Sequence, residues 1–187
     1  MTREIKCMEE KYLLPSLELV EKVFTVYQDE KEGKMVRALV AEIRRKRFYL
    51  PELELVMIDA DTDEVIGYVM FSRFHLEGKY ADELLILTPA AVKTELQRQH
   101  ISKELIEYGF NKARQMGYKA ILVEGNPRNY NPRGFVTAAE HGILPGKTVH
   151  LPHIDCLMVK ELVPGALGEI KGMVEYTDYE TLTKEGN

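Results

Sequence analysis

Apolar residues in the first quarter of the chain recur every three to four positions, which predicts two amphipathic helices after a short strand over Thr2 to Cys7. One face of the first helix carries Leu13, Leu17, Val20, Phe24 and Tyr27. The second helix is expected to end near Arg47, before Pro51, and its apolar face consists of Met35, Val36, Leu39, Val40 and Ile43. The charged residues 30–34 predict a break between the two helices.

The middle of the chain alternates strands with one clear helix. Residues 52–60 and 65–74 are rich in Val, Ile, Tyr and Phe and flank the tetrapeptide at 61–64, so they predict a hairpin. A strand over residues 83–87 precedes a helix from Ile101 to Met116, which Gly117 caps. The continuous apolar run 120–123 predicts a second strand, parallel to residues 83–87, and this completes a βαβ unit.

The last third of the chain predicts shorter elements. Asn126-Pro127 resembles a cap followed by a first-turn proline, which opens a short helix, and two final strands are expected over 143–150 and 154–161. A chain of 187 residues with 45% hydrophobic residues is large enough for an ordinary core, so we expect one domain over residues 1–187. Residues 162–187 are expected to pack on it as an extension, with residues 184–187 frayed.

Composition excludes several classes of function. A net charge of -5 and a pI near 5.6 argue against a nucleic-acid partner and weakly favour a cationic substrate. The basic run 44–47 fits a helix C-terminus, whose dipole it complements, better than a nucleic-acid patch. No apolar run approaches the roughly 20 residues that span a bilayer, and the N-terminus lacks the apolar segment of a signal peptide. We therefore expect a cytoplasmic protein without a membrane partner.

A metal site is not expected either. Cys7 and Cys156 show neither CxxC spacing nor a disulfide framework. No cysteine or carboxylate stands at ligand spacing from the histidines, which are His75, His141, His150 and His153 besides one in the loop considered next.

Residues 87–109 lead from a strand through a loop without helical periodicity into the amphipathic helix. A helix N-terminus presents unpaired backbone N–H groups and about half a positive charge. Such a loop can therefore hold a phosphate or pyrophosphate with few side chains.

The order of elements, together with two motifs, resembles the GNAT superfamily of acetyl-CoA-dependent N-acetyltransferases. Members carry a stretch close to PLAVxPxxQGxGIG, which this chain matches at Pro89, Ala91, Val92, Gln97 and Ile101. A later stretch close to GDPxYYxxFGF is matched at Gly125, Asn126, Pro127, Tyr130, Gly134 and Phe135. The tail, with ELVPGAL, Gly172, Val174 and Tyr176, is similar to one bacterial branch of predicted N-acetyltransferases.

The resemblance implies an α/β (α+β) fold of the GNAT type, with a mixed central sheet of about six to seven strands, flanking helices and a splayed parallel strand pair. It implies acetyl-CoA as cosubstrate and direct transfer of the acetyl group to a primary amine of a small molecule or peptide. The implied coenzyme-binding residues are Ala91, Val92, Gln97, Arg98, Gln99, His100, Ile101, Ser102 and Asn126. Sheet edges and the tail leave a homodimer open.

The implied proton donor to the leaving thiolate is Tyr130, and a tyrosine that packs its ring while its hydroxyl meets water is the alternative interpretation. Glu83 is the candidate base for the amine, with Glu52 and Glu54 as lower-ranked substitutes, although a solvated glutamate is the commoner case.

The chain also departs from the family pattern. His100 and Ser102 replace both glycines of QxxGxG, and Arg98 stands where many members have another glycine. Pro132 removes one helical hydrogen bond and should shorten or bend the segment that holds Tyr130. These departures leave open an alternative, in which the domain has lost catalysis and serves as an acyl-CoA-binding, regulatory or interaction module.

Overall fold

The computed structural model describes residues 2–183, so the fraying predicted for residues 184–187 lies outside the described residues. Five α-helices lie in this part of the chain, at Glu10–Tyr27 (α1), Glu30–Ile43 (α2), Ile101–Gln115 (α3), Pro127–Tyr130 (α4) and Glu180–Thr183 (α5). The strands are Arg3–Cys7 (β1), Glu54–Asp59 (β2), Glu64–Arg73 (β3), Leu84–Val92 (β4), Ala120–Glu124 (β5), Val136–Thr137 (β6), Ile143–Pro145 (β7), Leu157–Glu161 (β8) and Gly172–Val174 (β9).

The strands form a mixed seven-stranded sheet in the order β1-β2-β3-β4-β5-β8-β6, and β7 and β9 form a separate parallel pair. This confirms the predicted mixed sheet with helices. The chain divides into two compact units, one made of the residues up to Ser72 together with Pro89–Asn111, and the other of Arg73–Thr88 together with the residues from Lys112. None of the described helices is long and apolar enough to cross a membrane.

In the first unit, α1 and α2 pack closely together. The Asp29 side chain accepts a hydrogen bond from the backbone N–H of Glu32 and so caps α2, which begins at Glu30. The predicted break between the two helices exists, but it lies at residues 28–29 and not at 30–34, because this N-cap lets the charged residues form the first turn. A Cβ atom on Gly33 would lie 2.0 Å from Thr25 Oγ1, so glycine allows the two helices to approach.

The β2–β3 hairpin forms as predicted, and two glycines bring α3 against it. A Cβ atom on Gly67 of β3 would lie 2.6 Å from Ile101 Cγ2, and one on Gly109 of α3 would lie 2.2 Å from Phe71 Cε2. The first turn of α3, where Ile101 is buried, is thereby fixed against the strand.

In the second unit, β4 and β5 pair in parallel from Leu84↔Ala120 to Leu87↔Val123, which confirms the predicted βαβ unit. The predicted strand 143–150 is wrong in extent, since β7 covers only Ile143–Pro145. It pairs with β9 of the tail, whereas β8 pairs with β5 and β6. Buried tail residues of this unit include Leu162, Ala166, Leu167, Ile170, Val174, Tyr176 and Tyr179.

Candidate coenzyme and catalytic site

The strand before the loop is longer than the sequence predicts. β4 continues five residues past Leu87 and ends at Val92, while β5 ends at Glu124, one residue past the last recorded pair. The end of β4 includes Ala91 and Val92, two of the predicted coenzyme-binding residues. β5 is too short to pair with this part of β4. On the edge of β4 that faces β5, the backbone groups beyond Leu87 therefore have no β5 residue opposite them.

The loop that follows, in the first unit, adopts the backbone conformation of a glycine-containing loop without glycine. Arg98 has φ 62° and His100 has φ 66°, both in the left-handed region. These are two of the positions at which the family pattern has glycine. Left-handed backbone costs a residue with a Cβ atom about 1–2 kcal/mol, so the loop holds both residues against an intrinsic preference.

The side chains at these two positions are solvent exposed. Within the described part of the chain, neither the Arg98 guanidinium nor the His100 imidazole makes a hydrogen bond or ion pair, and both are available to an anionic ligand. Glycine at the same positions would offer no such groups.

Helix α3 supplies backbone donors next to this loop. The carbonyl of His100 accepts from the N–H of Glu104, so helical bonding starts there. The N–H groups of the first turn precede that bond, and the first turn of an α-helix leaves such donors without an acceptor in the helix. Together with the macrodipole of the 15-residue helix, they make its N-terminus attractive to a phosphate group.

Arg3 of β1 holds the centre of the loop. Its guanidinium donates to the backbone carbonyl of Gln99 and to Gln99 Oε1, both at 2.8 Å, and Nη1 lies 3.7 Å from Glu104 Oε1. Gln99 stands between the two left-handed residues. The sequence contained no local signal for this contact.

In the second unit, three residues lie close to the ring of Tyr130. A Cβ atom on Gly125 would lie 2.6 Å from the ring, Phe135 packs edge-on with centroids 5.5 Å apart, and the Arg133 guanidinium lies 5.9 Å from the ring centroid. Among residues 2–183, no group makes a hydrogen bond with the hydroxyl. Burial raises the pKa of Tyr130 while Arg133 acts in the opposite direction, so the phenol is protonated at neutral pH.

Asn126 and Pro132 shape the segment around Tyr130. Asn126 Oδ1 accepts from the N–H of Arg128 at 3.0 Å and caps α4, as the sequence predicts. Pro132 lies in a short 3-10 turn, Asn131–Arg133, that follows α4. The expected shortening of the helix at this proline is confirmed, since α4 ends at Tyr130.

The candidate bases named from the sequence lie in other surroundings. Glu83 precedes the first residue of β4 and pairs with Lys119 at 3.0 Å. Val92 is nine residues further along, a distance of roughly 30 Å at about 3.3 Å per residue, so Glu83 lies at the far end of the strand. Glu54 is fully buried and bound to Arg44, and Glu52 is exposed in a 3-10 turn.

A different carboxylate ends β5. Glu124 accepts a hydrogen bond from the hydroxyl of Tyr176 at 2.7 Å, and it stands one residue past Val123, which pairs with Leu87. Partial burial of the carboxylate raises the pKa of Glu124, whereas the Tyr176 hydroxyl and the nearby His150 lower it. The only hint in the sequence was a single acidic residue directly after the apolar run 120–123.

The histidines show no common metal site. His75 contacts Asp178 at 2.6 Å, and His153 contacts Asp155 at 3.1 Å. Over residues 2–183, no three His, Cys, Asp or Glu side chains come together in a way that could hold a metal ion.

A mixed sheet with a parallel β4–α3–β5 unit, and a loop with left-handed residues before α3, is the architecture of an acetyltransferase-type α/β fold. The family model described as "Acetyltransferase (GNAT) family" matches residues 18–136, well over half of the chain. The chain therefore belongs to the GNAT family of acetyltransferases.

Relatives and solved structures agree with this assignment. YhbS of Escherichia coli (strain K12), described as an uncharacterized N-acetyltransferase, is 29% identical over 156 residues, which cover 82% of this chain and 85% of YhbS. The crystal structure of E. coli YhbS in complex with CoA superposes with a TM-score of 0.81 at 24% identity, covering 99% of this chain and 93% of that one. A GNAT acetyltransferase from Brucella melitensis in complex with acetyl-CoA gives 0.69 at 21% identity, covering 94% and 96%. The alternative of a non-catalytic module is not favoured by these matches.

Proposed function

We propose that this protein transfers an acetyl group from acetyl-CoA to a primary amine, by direct attack within a complex of enzyme, acetyl-CoA and amine. The observation that carries the proposal is the loop before α3, in which Arg98 and His100 keep left-handed backbone at two glycine positions of the family motif. The coenzyme-bound structures of YhbS and of the Brucella protein support a coenzyme site in a fold of this kind.

The coenzyme phosphates are assigned to the loop and to the start of α3. Backbone N–H groups between Gln97 and Ser102 bind the pyrophosphate, and the side chains of Arg98 and His100 add further donors. The end of β4, at Ala91 and Val92, pairs its backbone with the pantetheine arm and offers an N–H to the thioester carbonyl. That donor stabilises the oxyanion that forms when the amine attacks the carbonyl carbon.

Proton transfers accompany each bond change. The ammonium first loses a proton to a base, and the neutral amine forms the C–N bond. The C–S bond then breaks to release the CoA thiolate, and the nitrogen loses its second proton to become the amide. Tyr130 gives its phenolic proton to the thiolate, and the phenolate takes up through solvent the proton that the nitrogen releases. Its burial keeps the proton in place beforehand, and Arg133 stabilises the transient phenolate.

We assign the base to Glu124 in place of Glu83. A carboxylate with a raised pKa is a better proton acceptor than an ordinary solvated one, and the Tyr176 hydrogen bond fixes its direction. Glu83 is engaged by Lys119 at the opposite end of β4. The acceptor is a primary amine of a small molecule or peptide, which the net charge of -5 favours in its cationic form. We place the reaction in the cytoplasm, without metal.

Coenzyme binding is tested by thermal unfolding with and without acetyl-CoA. A ligand at 100 times its Kd adds about 2.7 kcal/mol of stability, which corresponds to roughly 5–11 °C in a chain of this size. Arg98→Glu should abolish most of this shift, whereas Arg45→Glu, an equal change of charge at an exposed position of the same unit, should keep it. An unchanged Tm at millimolar acetyl-CoA would refute the coenzyme site.

Catalysis is tested by thiol release from acetyl-CoA with a panel of amines. Tyr130→Phe should lower kcat by about 100-fold or more, as expected when an acid catalyst is removed, while the acetyl-CoA-induced Tm shift persists. Tyr27→Phe, at an exposed tyrosine, is the matched control. Equal turnover of Tyr130→Phe and wild type, with chemistry rate-limiting, would remove Tyr130 from the mechanism.

The base is tested by the pH dependence of kcat/KM, whose acidic limb reports the group that must be deprotonated. Glu124→Gln should lose most activity and that limb with it, whereas Glu140→Gln, at an exposed glutamate of the same unit, should keep both. Tyr176→Phe removes a hydrogen bond that lowers the pKa of Glu124, so the limb should move to higher pH. A limb that Glu124→Gln leaves unchanged would exclude Glu124 as the base.

A further inference from the structure

We infer that Arg3 is a positioning residue for acetyl-CoA, because its guanidinium holds the coenzyme loop in the left-handed conformation that glycine would otherwise supply. The inference rests on the proposed function of residues 97–102. It adds a role for a residue in β1, 96 positions away in the sequence from the loop residue that it binds.

The geometry of the contact argues for positioning rather than for a general surface ion pair. Arg3 takes both the backbone carbonyl and the side-chain amide oxygen of Gln99 at 2.8 Å, so it fixes the direction of the peptide and of the side chain together. The two residues with positive φ, Arg98 and His100, flank that peptide directly.

Arg3 is itself well placed to act as an anchor. It belongs to β1, whose five residues all pair with β2, and Arg3 stands opposite Asp59. Its side chain is only 23% exposed, and its second partner is Glu104 in the first turn of α3. One guanidinium therefore links the central sheet, the loop and the start of the helix, all within the first unit.

The chemistry of this arrangement predicts a specific kinetic signature. A loop that relaxes from left-handed backbone turns its N–H groups away from the pyrophosphate, which weakens ground-state binding of the coenzyme. Tyr130 and Glu124, to which we assign the proton transfers, are unaffected. Loss of Arg3 should therefore raise the KM for acetyl-CoA while kcat at saturation stays close to the wild-type value.

The experiment compares Arg3→Ala and Arg3→Lys with Arg37→Ala, which removes another ion-paired arginine of the same unit, bound to Glu21. We expect Arg3→Ala to raise the Kd for CoA and the KM for acetyl-CoA about tenfold or more. For Arg3→Lys, both constants should lie between those of wild type and Arg3→Ala, because an ammonium does not reproduce the two hydrogen bonds of the guanidinium. Arg37→Ala should bind CoA as wild type does. Wild-type affinity in Arg3→Ala, or equal weakening in Arg37→Ala, would overturn the inference.

Hydrogen exchange of the unliganded protein keeps this test independent of catalysis. Arg3→Ala should increase exchange over residues 96–104 while β2 and β3 keep their protection, and Gln99→Ala should do so to a smaller extent. If wild type binds no CoA, the proposed function fails while the exchange data still decide the role of Arg3. Unchanged exchange over residues 96–104 in Arg3→Ala would refute the positioning role, whatever the affinity.

Discussion

The most severe single change we predict is Arg44→Met, which leaves a buried carboxylate without its cation. Glu54 of β2 is 0% exposed, and Arg44 at the end of α2 is 11% exposed and contacts it at 2.7 Å. The hydroxyls of Tyr49 and Tyr68 also donate to this carboxylate, and Arg44 donates further to Leu13 O and Ser16 Oγ. This network joins α1, α2 and the β2–β3 hairpin, so Glu54 contributes to the stability of the first unit, and we place no catalytic step on it.

Removing one partner of a buried ion pair costs about 3–5 kcal/mol, because the other charge is left uncompensated. At about 2–4 °C per kcal/mol for a chain of this length, Arg44→Met should lower Tm by roughly 6–20 °C. The assay is urea unfolding, which gives the free energy, and thermal unfolding, which gives Tm, both followed by circular dichroism at pH 7.5.

Arg37→Met is the matched control, because its partner Glu21 is 28% exposed and exposed pairs contribute about 0–1 kcal/mol. Arg44→Met/Glu54→Leu should recover only part of the loss, since the hydroxyls of Tyr49 and Tyr68 then lack their acceptor. The reasoning is refuted if Arg44→Met costs less than about 1 kcal/mol, or no more than Arg37→Met.

Two further changes test close packing and the cost of a carboxylate. Gly109→Ala should destabilise the protein by about 1–3 kcal/mol, since its Cβ atom would lie 2.2 Å from the Phe71 ring, whereas Gly168→Ala, with no atom within 4 Å, should change urea unfolding little. The pKa of Glu124 is raised in the folded protein, so its charged form costs stability, and Glu124→Gln should raise Tm more at pH 7.5 than at pH 4.5, where a larger share of the wild-type carboxyl carries a proton. A larger gain at pH 4.5 would contradict the direction of the shift.

Local periodicity predicted those elements whose stability comes from one apolar face or from a short turn. The helix Ile101–Gln115, the β2–β3 hairpin and the parallel strand Ala120–Glu124 were all predicted close to their observed bounds. The start of the second helix was predicted too late in the chain, because the helix begins where the Asp29 side chain caps it and not where the apolar pattern begins. The strand over 143–150 failed because β7 pairs with a tail strand that begins only at Gly172, and short-range pattern carries no information about such a partner.

The candidate site divides in the same way. Motif positions identified the loop and Tyr130, because these residues lie in continuous stretches that the chain itself displays. The Arg3–Gln99 contact and the Tyr176–Glu124 contact join residues 96 and 52 positions apart, so only the folded chain brings them together. The motif placed Arg98 and His100 at glycine positions, but that they adopt positive φ despite their side chains is seen only in the folded loop.

Loss of a motif glycine is therefore a poor reason by itself to assign loss of function to this chain. Glycine contributes two things to a phosphate loop, which are free access to positive φ and the absence of a side chain. Arg98 and His100 retain the positive φ, at a conformational cost of about 1–2 kcal/mol each. The hydrogen bonds from Arg3 to Gln99 offset part of that cost. The absence of a side chain is lost. Both side chains are exposed beside the N-terminus of α3, however, where they can donate hydrogen bonds to a bound anion. With Arg98 and His100 in place of glycine, the loop gains polar side chains, and the contacts of Arg3 restrict its conformation. A loop of this kind can bind an anionic ligand such as the phosphates of the coenzyme.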